Sequence, residues 1–105
     1  MAYLHHQRKV EGLRMILLKR SAQVSDKSMG NEVAILHLSS GNYYTLNATG
    51  AAIWNYCSRV RSVEDILDFL ASKHGIEKAA IEEEIRFFVN ELTTARLLES
   101  SEPAG

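Results

Sequence analysis

The pattern of apolar residues changes at Asn47, and this change constrains the fold more than any other feature of the chain. Before it, residues 32–38 (EVAILHL) and residues 43–46 (YYTL) are short runs rich in β-branched and aromatic residues, which favour strands. The turn residues 39–42 (SSGN) between them suit a tight hairpin. A further short strand at residues 23–26 completes a predicted three-stranded antiparallel meander.

Three helical segments are predicted after the meander. Asn47 is a good N-cap for the first, which ends near residue 58. Ser62 begins the second, and Gly75 is a natural residue to end it. The third runs over residues 78–95, and its apolar core stripe consists of Ile81, Ile85, Phe88 and Leu92. The fold class is therefore α+β and winged-helix-like, with a three-stranded antiparallel sheet followed by three helices.

Composition limits the broad class of protein. With 105 residues and a net charge of −1, the chain fits one globular domain. Its single cysteine, Cys57, excludes an internal disulfide and predicts a core thiol in an intracellular, cytoplasmic protein. No apolar run approaches the roughly 20 residues of a membrane span. The first residues also lack the pattern of a signal peptide.

The chain is predicted to have three parts. Residues 1–20 carry five basic residues against one acid, and we expect residues 1–21 to form a basic, partly disordered arm. Residues 22–98 form the folded domain, and residues 99–105 are expected to be a disordered tail. The arm is a candidate for pairing with an open sheet edge of its own or of a neighbouring molecule, and the second arrangement predicts a homodimer.

Catalytic and metal-binding patterns are not found in the sequence. The four histidines are scattered, and none has the spacing of a zinc site. No Ser-His-Asp arrangement or phosphate-binding glycine loop can be identified, and the acidic run 82–84 is typical of a solvated helix start. We therefore expect no enzyme activity, no catalytic or metal-binding residue and no cofactor.

DNA binding is the alternative, since paired helices often enter the major groove. The second predicted helix carries Glu64, Asp65 and Asp68 against Lys73, and the third has acids in its first turns. These charges would repel phosphates. A winged-helix DNA-binding regulator is therefore the weaker hypothesis.

One aromatic residue leaves two interpretations open. Phe87 lies about 130° from the centre of the apolar stripe of the third helix, beside Glu84 and Glu91. It either widens the core or forms the wall of a groove that faces a partner. The strand 43–46, as the last of the meander, is also a candidate edge strand that can accept an added strand.

Residues 43–54 (YYTLNATGAAIW) resemble the Y-x-L-N-x-x-G-x-x-I-W stretch of the PqqD-like family, the pyrroloquinoline-quinone synthesis protein D family. The resemblance extends over about residues 22–98, including the helix at 63–70 and the apolar pattern at 85–92. It implies a winged-helix-like fold of three strands and three helices. Members of this family act as precursor-peptide recognition elements and are not enzymes.

The resemblance also implies a function and a site. A non-catalytic adaptor of this kind binds the leader segment of a ribosomally synthesised precursor peptide by β-strand addition. It presents the leader to a maturation enzyme, either a radical-type modifying enzyme or a leader peptidase, and the sequence leans toward the lasso-peptide members. The implied peptide-binding residues lie on the last strand and on one flank of the third helix: Tyr43, Tyr44, Thr45, Leu46, Ala80, Glu84, Phe87 and Glu91.

Arg96 departs from the family pattern. A glycine commonly stands there, before the final apolar pair, so the end of the last helix is not predicted by the resemblance. The basic arm also lies outside the pattern.

Overall fold

The computed structural model describes residues 16–101. These residues form an α+β fold, as predicted from the sequence. The elements, in chain order, are β1 (Leu17–Arg20), β2 (Val24–Met29), β3 (Glu32–His37), β4 (Tyr43–Leu46), α1 (Ala48–Tyr56), β5 (Arg61–Ser62), α2 (Val63–His74), α3 (Lys78–Thr94) and β6 (Leu98–Ser101). Within the described residues, no helix is both long and apolar enough to cross a membrane.

The predicted meander is confirmed, with β2, β3 and β4 as antiparallel neighbours in that order. The central strand places Ile35 opposite Asp26 on one side and Tyr44 on the other. Alternation along β3 directs Val33 and Ile35 into the core, where both are almost fully buried. The inner face of this sheet packs against α1, which follows β4 directly.

The structure adds to the predicted three-stranded sheet a second antiparallel sheet with the order β5, β1, β6. Leu17 lies opposite Ser62 of β5 and Ser101 of β6. Residues 17–20, assigned to the arm, and residues 99–101, assigned to the tail, are therefore strand residues. They are ordered because Leu18 and Leu98 are buried in the core. What was predicted for residues 1–15 and 102–105 lies outside the described residues.

The winged-helix likeness is loose, since β5 separates the first two helices and β6 follows the third. The predicted caps are confirmed. The Gly50 N–H donates to the side chain of Asn47 at 3.0 Å. Ser62 and Asp65 satisfy each other's backbone N–H groups in a capping box. Gly75 ends α2 in the left-handed region, with φ 64°.

The end of α3 is closed by Arg96, which adopts φ 63°. The Arg96 N–H donates to the Thr93 carbonyl at 3.1 Å, and the Leu97 N–H donates to the Leu92 carbonyl at 2.9 Å. This pair of bonds is a Schellman motif, in which the residue at the Arg96 position is most often glycine. The arginine thus makes the turn that directs the chain from α3 into β6.

Trp54 joins the two sheets at the centre of the core. Its indole Nε1 donates to the Asp26 carboxylate of β2 at 2.7 Å. The Arg20 guanidinium of β1 donates to the Trp54 carbonyl at 2.8 Å and lies 4.5 Å from the ring centroid. Cys57, one turn later in the chain, is a core thiol as predicted. Burial raises its pKa to about 11, against the opposing effect of Arg20 and Arg61.

Candidate functional site

The outer edge of β4 presents backbone groups that no strand of residues 16–101 occupies. The His37 N–H donates to the Asn42 carbonyl at 2.8 Å, which sets the phase of the antiparallel ladder. By alternation, the backbone of Tyr44 and Leu46 bonds to β3. The N–H and C=O groups of Tyr43 and Thr45 therefore point to the open edge.

Helix α3 lies beside this edge on its inner side. A Cβ on Gly50, in the first turn of α1, would lie 2.9 Å from Cζ of Phe88 and 3.2 Å from Cβ of Leu46. The ring of Phe88 thus rests where α1 begins and β4 ends, in space that only a glycine leaves open. At the other end of β4, Tyr44 lines a cavity with Ala95. The helix therefore runs along β4 in the opposite direction.

The space between the open edge of β4 and the facing side of α3 is called here the β4–α3 groove. Glu84, Phe88, Glu91 and Ala95 follow one another by four, three and four residues, so they share the face of α3 that borders it. Phe87 stands at the outer margin of that face and is 66 % exposed. The structure thus places the Phe87 ring outside the core, and its role as the wall of a groove that faces a partner stays a prediction.

A cavity of about 350 Å³ continues the groove at the Leu46 end. Its floor is apolar and comes from all three helices, with Ile53, Leu70 and Ile85 among the lining residues. Polar groups at its rim include His74 and Glu84. Such a cavity suits a bulky apolar side chain that carries a polar end.

A second cavity of about 320 Å³ lies at the Tyr43 end of the groove, between the β3–β4 turn and the end of α3. His37 is buried there, and its Nδ1 lies 3.2 Å from the hydroxyl of Ser40. Ser40 also accepts a bond from the Asn42 N–H. These contacts fix the turn from which β4 begins, and Arg96 lines the same cavity.

The structure divides the predicted site residues between two faces of the sheet. Tyr43 and Thr45 project from the outer face and are exposed, whereas Tyr44 is half-buried and Leu46 is buried on the α3 side. The side chains of Tyr43 and Phe87 therefore do not share one pocket. They would contact opposite faces of a strand added at the edge.

On α3, the predicted flank is exposed along its length. Ala80 lies in the first turn, one turn before Glu84, and Glu91 lies one turn after Phe87. The start of α3 is held against α2 by Lys78, whose ammonium lies 2.8 Å from Asp68 and 2.6 Å from Glu64. Hydrogen bonds to these two carboxylates raise the pKa of Lys78.

Two contributors to the groove, Phe88 and Arg96, were not predicted from the sequence. Phe88 was assigned to the core stripe, but it is only half-buried and lies on Gly50. The glycine within a predicted helix was the available signal, because a helical glycine often marks a close approach. Arg96 was noted only as a departure from a pattern. In residues 16–101, no group of three or more His, Cys, Asp or Glu side chains is placed to hold a metal ion.

Fold and site together define a small α+β domain with an open sheet edge alongside a helix, an arrangement suited to receiving an extended peptide. The sequence model of the family described as Coenzyme PQQ synthesis protein D (PqqD) matches residues 32–98. The chain belongs to this family. The match begins with β3 and ends at the first residue of β6, so it includes β4 and α3.

Two solved structures are similar to this chain. The structure of TbiB1 in complex with the TbiA(beta) leader peptide has 31 % sequence identity and a TM-score of 0.72, and covers 77 % of this chain and 94 % of that one. The structure of lasso peptide synthetase B1 complexed with the leader peptide has 25 % sequence identity and a TM-score of 0.67. The match covers 77 % of this chain and 95 % of that one. No curated protein sequence gives a significant match.

Proposed function

We propose that this protein is a non-catalytic adaptor that binds the leader segment of a ribosomally synthesised precursor peptide in the β4–α3 groove. It presents the bound leader to a maturation enzyme, which we expect to be a modifying enzyme or a leader peptidase acting in the cytoplasm. The observation that carries the proposal is the open edge of β4 beside α3. Membership of the PqqD family and the two leader-peptide complexes among its structural neighbours support it.

The backbone of β4 supplies the sequence-tolerant part of the affinity. The N–H and C=O groups of Tyr43 and Thr45 point to the open edge, which gives two donors and two acceptors to an added strand. Each such bond is worth about 0.5–1.5 kcal/mol net, and an extended peptide of almost any sequence can form them. Because β4 is held by β3, the edge is formed before the peptide arrives.

The side chains of the groove supply specificity. Alternate residues of an added strand would face α3, where Phe87, Phe88 and the 350 Å³ cavity accept apolar groups. Glu84 and Glu91 on the same face favour basic residues in the leader, chiefly through the rate of association and the choice of register. The remaining leader side chains would lie beside Tyr43 and Thr45 on the outer face.

The DNA-binding alternative receives no support from the family or from the two similar structures. The exposed faces of the helices also oppose it. Asp65 and Asp68 on α2 and Glu83 and Glu91 on α3 are exposed, so both helices would bring carboxylates toward phosphates.

A proline substitution tests the strand-addition mechanism. In Thr45→Pro, the lost N–H is one that points away from β3, so the sheet keeps its ladder. We expect this variant to fold and to bind a fluorescent leader of a precursor peptide encoded beside this chain about tenfold more weakly. The measurement is fluorescence anisotropy with the full chain.

Two controls make the test specific. Thr45→Ala removes the side chain but keeps the N–H, and we expect it to bind within about twofold of the wild type. Ser28→Pro places the same residue on the opposite edge strand, where the register also directs the N–H to solvent. It should leave binding unchanged. Equal affinity for Thr45→Pro and Thr45→Ala would show that β4 is not the binding edge.

A further inference from the structure

Arg96 occupies a backbone conformation that is unfavourable for its residue type. Its φ of 63° lies in the left-handed region, where the Cβ of an L-residue approaches the carbonyl oxygen. A glycine would close α3 with the same Schellman motif and without that cost. Strain of this kind persists where the rest of the structure imposes it, and it clusters at functional sites.

The position of Arg96 suggests what the side chain contributes. The residue is exposed and lines the 320 Å³ cavity at the Tyr43 end of the groove, together with Ser40, Asn42 and Tyr44. Hydroxyl and amide groups beside a guanidinium make a surface that suits a carboxylate. Within residues 16–101, the Arg96 guanidinium forms no ion pair, whereas that of Arg86 pairs with a carboxylate on its own helix at 2.8 Å.

We infer that Arg96 binds the side-chain carboxylate of an aspartate or glutamate in the leader, at the position just beyond the residue that pairs with Tyr43. This inference rests on the proposed function and names the chemical class of one leader residue. It also explains why a strained arginine stands where glycine would make the same turn.

The charges along the groove add a prediction about register. Glu84 and Glu91 make the α3 wall acidic, while Arg96 makes the Tyr43 end basic. A leader with basic residues along α3 and one acidic residue at the far end matches both. A shift of the leader by two residues is the smallest that keeps the same side chains facing α3. Such a shift would move the carboxylate away from Arg96. The backbone hydrogen bonds of an added strand can form in more than one register. The contact between Arg96 and the leader carboxylate selects one of them.

The test compares stability and binding in the same variants. Arg96→Gly and Arg96→Asn both remove the charge, and both residues tolerate the left-handed region. We expect each to raise the Tm by roughly 5 °C and to weaken binding of the neighbouring precursor's leader about tenfold at low salt. Arg96→Lys keeps the charge and the strain, so it should retain most of the affinity and show no rise in Tm.

Variants of the leader peptide complete a double-mutant cycle with the Arg96 variants. Each acidic residue of the leader is changed in turn to its amide, and one of these changes should weaken wild-type binding about tenfold. That peptide should bind wild type and Arg96→Gly equally, because the partner of Arg96 is already gone. The inference is overturned if Arg96→Gly binds the unmodified leader as tightly as wild type does. It is also overturned if every acid-to-amide change in the leader alters the affinity for wild type and for Arg96→Gly by the same factor. If wild type binds no leader at all, the proposed function fails with it.

Discussion

The two sheets of this domain are built in different ways and serve different purposes. The β2–β3–β4 sheet is made of consecutive strands joined by short turns, and its last strand leaves an edge open. The β5–β1–β6 sheet is assembled from three distant parts of the chain, and its central strand is paired on both sides. The first sheet leaves the outer backbone groups of β4 open to the proposed leader strand, whereas the second uses both edges of its central strand β1 within the fold.

This difference assigns the second sheet a supporting role in the groove. Strand β6 follows α3 through the turn at Arg96, and its pairing with β1 anchors the end of that helix. Leu97 and Leu98 are buried directly after the turn. The groove wall on α3 is thus held by one sheet, while the groove edge belongs to the other.

The largest expected effect is on stability, from a substitution in the second sheet. Leu98→Ala removes a side chain that is 1 % exposed, and such truncations cost about 3 kcal/mol. We expect this loss in urea unfolding. Ser100→Ala, in the same strand but exposed, should change stability by less than about 0.5 kcal/mol. Equal stability of the two variants would mean that β6 is not part of the folded core.

A smaller effect, on affinity alone, is expected from the groove wall. Phe87→Ala removes a ring that is 66 % exposed, so we expect the urea midpoint to stay unchanged and leader affinity to fall about tenfold. Val60→Ala, which truncates another exposed apolar residue away from the groove, is the matched control. A large loss of stability in Phe87→Ala would show that this ring is part of the core. Unchanged leader affinity would show that it is not part of the binding site.

At neutral pH, the smallest expected effect concerns the core between the two sheets. Burial raises the pKa of Cys57 to about 11, so at pH 8 roughly 0.1 % of this thiol is ionised and iodoacetamide should label the native protein very slowly. The raised pKa also stabilises the fold below pH 9 and loses that contribution as the pH rises toward 11. The stability of Cys57→Ala should depend less on pH in this window. Rapid labelling at pH 8 would show that the core around Cys57 opens readily.

The sheet of consecutive strands was predictable from the sequence, whereas the sheet assembled from distant segments was not. The hairpin strands and the helix caps at Asn47 and Ser62 were predicted, because each is encoded by neighbouring residues. Strand β1 was not, since residues 13–20 fit a helix and a strand equally well over so short a window. Its partners β5 and β6 lie more than 40 residues further along, and such pairings leave no local pattern.

The candidate site was predictable to a similar extent. Helical periodicity alone placed Phe87 off the core face, and the position of residues 43–46 at the end of the meander indicated an open sheet edge. The contact between Phe88 and Gly50 depends on how two helices meet, which periodicity within one helix does not contain. The left-handed turn at Arg96 runs against local preference, so only the tertiary structure shows it.

The most direct test of strand addition is an NMR titration of the full chain with the leader peptide, read by amide hydrogen exchange at β4. In the free protein, the amides of Tyr44 and Leu46 should already be protected by β3, and those of Tyr43 and Thr45 should exchange rapidly. We expect the leader to protect the amides of Tyr43 and Thr45 and to shift the resonances of Glu84, Phe87 and Glu91. Binding that leaves the Tyr43 and Thr45 amides in rapid exchange would contradict strand addition at β4.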